Sequence, residues 1–101
     1  MDAAALLNSG RFLLAHEAWE DLWREEREPL RRRRLQGLAQ LAAALIKASE
    51  GTRGGATTLF ARARDNLVAA GSGADPWDVE RIVAEMGAWL DAPASARVHL
   101  K

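Results

Sequence analysis

At 101 residues, about half of them apolar, the chain has the size of one domain and enough hydrophobic material for a core without staples. It has no cysteine, which excludes a disulfide framework and cysteine-held metal sites and suits a reducing compartment. Its 14 basic residues balance 14 acidic ones, so no global charge draws it to nucleic acid or to an anionic membrane. There is no basic leader with a long apolar run, and no charge-free stretch of transmembrane length. The expectation is a cytoplasmic protein.

Residues 2–7 are rich in alanine and leucine and predict a short lead-in helix that ends at Asn8, Ser9 and Gly10. Asn8 or Ser9 can cap a first main helix over residues 10–27. Phe12, Ala15, Trp19, Leu22 and Trp23 recur there at three- and four-residue spacing and form its apolar stripe. His16 falls inside that stripe, and Glu20 lies one turn further on the same side; Glu17 and Asp21 turn towards solvent. Pro29 closes this helix and suits the first turn of the next, over residues 29–50. Leu35, Leu38, Ala39, Ala42, Leu45 and Ile46 make that second helix apolar nearly all round, as a central helix is, and Gly37 and Ala44 let a neighbour approach.

Residues 51–55 form a loop. A third helix over residues 55–70 turns Ala56, Leu59, Phe60, Ala63 and Leu67 inward. After Gly71, Ser72 and Gly73, the run Asp75-Pro76-Trp77-Asp78 predicts a helix start with Asp75 as cap. This fourth helix reaches Leu90, with Val79, Ile82, Val83 and Met86 inward. Pro93 ends the regular part, so residues 1–91 form a single all-helical domain, and residues 92–101, His99 among them, read as a loose tail. No run alternates as a strand does.

Two clusters carry chemistry. His16 and Glu20 lie at i and i+4, and Gln36 and Gln40 share one edge of the second helix. A hairpin across Glu28 and Pro29 makes the two helices antiparallel neighbours and predicts a polar patch of His16, Glu20, Gln36 and Gln40, with Glu17 and Trp23 beside it. Three readings compete for the His16–Glu20 pair: a satisfied structural histidine, a metal site with these two as ligands, and metal-free acid–base chemistry. The structural reading is favoured, because most such pairs are structural. A divalent metal fits the residue types without being favoured. The second cluster is Arg31, Arg32, Arg33 and Arg34 at the start of the second helix. It reads first as a solvated corner neutralised by Glu25, Glu26 and Glu28, and second as an anion site at a helix N-terminus. It is too short, and too poor in interleaved aromatics, for a nucleic-acid grip.

With these residues set out, the chain resembles the small all-helical bacterial family called domain of unknown function 309. The resemblance rests on Asn8, Gly10 and Phe12, then Ala15, His16, Glu17, Glu20 and Trp23. A second block is Leu35-Gln36-Gly37-Leu38-Ala39-Gln40-Leu41-Ala42, and a third is Gly55-Ala56 with Leu59 and Ala63 behind it. It spans roughly residues 8–90. It implies a bundle-like fold and a shared polar patch, and it supplies no activity. Family members often carry an aromatic and a histidine where this chain has Ile46 and Lys47.

The expectation is therefore a compact array of four main helices and a short N-terminal one, serving as a binding or interaction module. Its partner is an unidentified small molecule or protein, with no nucleic acid and no membrane. A homodimer is also considered, with Trp77 and Trp89 as contact aromatics. The rival reading is a metal-dependent hydrolase that uses His16 and Glu20, with Gln40 or Glu17 in support.

Overall fold

The computed structural model describes residues 2–71, 73, 75 and 77–91, except the side chains of residues 89 and 90. Among the described residues there are five helices and no strands: α1 (Ala3–Asn8), α2 (Phe12–Glu25), α3 (Pro29–Ser49), α4 (Arg53–Ala70) and α5 (Val79–Asp91). None of them is long and apolar enough to cross a membrane. The proposed tail, His99 and Pro76 lie outside the described residues.

Local chemistry sets the helix boundaries. The Asp2 carboxylate accepts from the Ala5 amide and caps α1. Asn8 and Ser9 do not cap the next helix: Asn8 ends α1, and the Ser9 hydroxyl donates back to the Leu6 carbonyl. Gly10, at φ 82°, makes the reversal that only glycine adopts without strain, and α2 starts at Phe12 with no side-chain cap. Glu28 caps α3, its carboxylate accepting from the Leu30 and Arg31 amides at 3.1 and 2.6 Å, and Pro29 occupies the first turn. The cap of α5 is Asp78, which accepts from the Arg81 amide at 3.1 Å. Asp75 was the expected cap, but its carboxylate is drawn away to two arginines of α3.

Helix α3 is the central element. Leu35, Leu38, Leu41, Ala42, Ala44 and Leu45 on it are wholly buried. Each fully buried leucine contributes about 1.5–3 kcal/mol relative to exposure. Helix α2 runs antiparallel to α3, since His16 meets Ala39 while Trp23 meets Arg32. Helix α4 covers another face of α3 and is also antiparallel, with Arg34 reaching Ala70 and Gly37 facing Ala63 and Leu67. The α2 stripe is narrower than its spacing predicts. Ala15 and Trp19 are buried and Phe12 and Trp23 partly so, but Leu22 is 41% exposed at the edge of the stripe.

Gly37 marks the tight α3–α4 crossing. A Cβ there would lie 2.8 Å from Leu67 Cγ and 3.1 Å from the Ala63 carbonyl oxygen. Leu67 is fully buried and the other obstacle is backbone, so neither can yield cheaply. Gly37→Ala gains up to about 1 kcal/mol of helix propensity. It loses about 1–3 kcal/mol to overpacking. The expected net result is destabilisation by about 1–2 kcal/mol in urea unfolding, and a more stable variant would show that the helices separate freely.

Candidate functional site

Helices α2, α3 and α4 meet around a cleft of about 230 Å³. Its lining includes His16, Glu20, Trp23, Gln36, Gln40 and Leu59. Five of the six expected patch residues therefore share one cleft. Glu17 does not: it lies in a neighbouring depression with Leu13, Asp21 and Arg24, on the far side of the His16–Glu20 pair.

Small residues on α3 admit the imidazole to the helix backbone. His16 Nδ1 lies 2.8 Å from the Ala39 carbonyl oxygen, beside a wall of Ala39 and Ala43. A carbonyl only accepts, so Nδ1 carries a hydrogen and donates it. That contact fixes the ring and aims Nε2 along α2 at Glu20 Oε1, with which it pairs. The other Glu20 oxygen accepts from Arg24 at 2.8 Å, and Arg24 also holds Asp21 at 3.0 Å. Both members of the His16–Glu20 pair are about a quarter exposed.

The opposite wall is ordered by residues that the spacing of the apolar stripes does not single out. Arg33 Nε donates to Asn66 Oδ1 at 3.0 Å, and Asn66 Nδ2 donates to Gln40 Oε1 at 2.7 Å. The one available signal was a lone amide, Asn66, beside the inward stripe of α4. Gln36 lines the same cleft but is exposed and has no such partner among the described residues.

The four arginines do not act as one cluster: Arg31 and Arg34 share Asp75, while Arg32 and Arg33 turn to other partners. Arg31 Nε and Arg34 Nη1 donate to the two oxygens of Asp75, at 2.9 and 2.6 Å. Arg34 is buried, not solvated as expected, and also donates to the carbonyls of Ala70 and Gly71. A Cβ on Gly73, at φ 57°, would sit against its guanidinium. The side-chain hydrogen bond that Arg31 donates to Asp75 holds Arg31 above its ordinary pKa, with Glu26 adding a contact at 3.3 Å. Arg32 lies over the Trp23 ring at 4.6 Å, and Arg33 holds Asn66 behind Gln40. The neutralising role given to Glu28 goes to Asp75, because Glu28 is occupied as the α3 cap.

Trp77, a candidate for a contact surface, is partly buried and packs edge-on against Trp19, with ring centroids 6.1 Å apart. The side chain of Trp89 lies outside the described residues. Among the described residues no group of three or more His, Cys, Asp or Glu is placed to hold a metal ion. His16 and Glu20 alone offer two ligands.

An all-helical protein with a partly apolar, polar-rimmed cleft among its first three long helices is thus defined by both fold and site. The chain belongs to the family of the domain of unknown function DUF309, whose model matches residues 1–59, that is α1 to α3 and the start of α4. The match begins earlier and ends sooner than the residues 8–90 over which the resemblance was read. No curated protein and no solved structure matches the chain.

Proposed function

We propose that the chain is a ligand-binding module whose site is the α2–α3–α4 cleft. The observation that carries this reading is the orientation of its polar groups. His16 is pinned by a backbone carbonyl, Glu20 by Arg24, and Gln40 by Asn66, all at the rim of one partly apolar cleft. Polar groups held in this way around a concave surface suit recognition of a small molecule. A library of small fragments, screened by ¹H–¹⁵N spectra, is expected to move the Trp23 indole and Gln40 amide signals together. Hits that consistently map elsewhere would count against the cleft.

A second reading, a metal-dependent hydrolase, draws on the Nε2 of His16, which lies beside a carboxylate rather than beside backbone. It needs a third ligand from water or substrate. Calorimetric titration with zinc, manganese and nickel tests it: tight stoichiometric binding lost in His16→Gln would make it the leading reading. That variant retains size and hydrogen-bonding capacity at a half-buried position. It is expected to keep the fold at a cost of no more than about 1–2 kcal/mol, read by urea unfolding.

A further inference from the structure

We infer that the cleft takes an uncharged carboxamide-type ligand edge, one hydrogen-bond acceptor beside one donor; this rests on reading the cleft as a ligand site. The argument starts at Arg33. A guanidinium only donates, so the Asn66 oxygen must face it. The Asn66 NH₂ then faces Gln40, which must present its own oxygen. That leaves the Gln40 NH₂ without a partner among the described residues, on a side chain that lines the cleft. A charged donor at one end of the relay thus sets a neutral donor at the other. Across the cleft, Glu20 holds one contact at each oxygen and keeps lone pairs to spare. The cleft therefore offers a donor from α3 and an acceptor from α2, between the apolar surfaces of Trp23 and Leu59. A carboxamide satisfies both. A carboxylate meets Glu20 with like charge, and an amidine has no acceptor for Gln40.

The test uses three probes that share one ring and differ only in the polar end: benzamide, benzoate and benzamidine. Each is titrated into the full chain, and the Gln40 side-chain NH₂ and Trp23 indole signals are followed. Benzamide is expected to bind about tenfold or more tighter than either charged probe. In Gln40→Glu, which replaces the free donor with an acceptor, that advantage over benzamidine is expected to vanish. In Asn66→Asp, the oxygen now facing Gln40 turns its amide around, and the Gln40 NH₂ is expected to stop responding to benzamide. Should Asn66→Asp fail to fold, Gln40→Glu keeps the inference testable. Equal binding of all three probes, or a preference for a charged one, overturns the inference and leaves the cleft as a ligand site. A Gln40 NH₂ that still responds in folded Asn66→Asp overturns the relay. If no probe moves either signal, the ligand-site reading itself falls.

Discussion

Asp75→Ala is expected to destabilise the fold by about 3–5 kcal/mol. The carboxylate is the counter-charge of Arg34, whose side chain is only 5% exposed, and it shares its second oxygen with Arg31. Removing it leaves a buried guanidinium with two carbonyl acceptors and no opposite charge. The Coulomb attraction is then gone while the desolvation cost remains. Arg34→Met is the control. It removes the buried charge together with its hydrogen bonds, and Asp75 keeps Arg31 as its partner, so the expected loss is smaller, about 1–2 kcal/mol. Urea unfolding of the two variants reads the order directly. If Arg34→Met cost as much as Asp75→Ala, the packing of the arginine stem would matter more than the counter-charge.

Trp19→Ala is expected to cost about 3–5 kcal/mol, through lost transfer energy and the cavity left behind. Trp19 is fully buried on α2, and the Trp77 ring that meets its edge comes from beyond α4, so one side chain joins two distant parts of the chain. The two indole nitrogens are buried without hydrogen-bond partners among the described residues. Trp19→Phe removes one of these orphan donors along with part of the volume, and its loss is expected to be clearly smaller. Near-ultraviolet circular dichroism adds a second readout, since either change abolishes the indole pair. A Trp19→Ala protein with unchanged stability would mean that the core closes over the gap.

The long apolar run of α3, the stop at Pro29 and the break at Gly10 were legible because each depends on neighbours within a turn or two. The meeting of His16 and Glu20 with Gln36 and Gln40 was legible for a related reason: a short hairpin dictates which faces of two helices touch. The relay from Arg33 through Asn66 to Gln40 was not, because it depends on the register between α3 and α4. Asp75 was misread as a cap for the same cause. In sequence Asp-Pro before a helix is a strong local signal, but two arginines more than forty residues earlier compete for that carboxylate, and the charged partners win. Leu22 was placed inward by periodicity alone; the helix it sits on turns only Ala15 and Trp19 fully inward.

The Arg34–Asp75 contact also bears on how the chain can be divided. The residues matched by the family model end at 59, yet the counter-ion of a buried cation within that span is supplied from residue 75. Leu67, which lies over Gly37, and Asn66, which holds Gln40, are also beyond it. A fragment cut at the matched boundary would carry a bare guanidinium and an uncovered leucine face on α3. Sequence kinship and autonomous folding therefore have different borders in this protein, and a minimal version for expression must run through α4 and Asp75 into α5, since Trp77 meets Trp19 and Val79 and Met86 join the core.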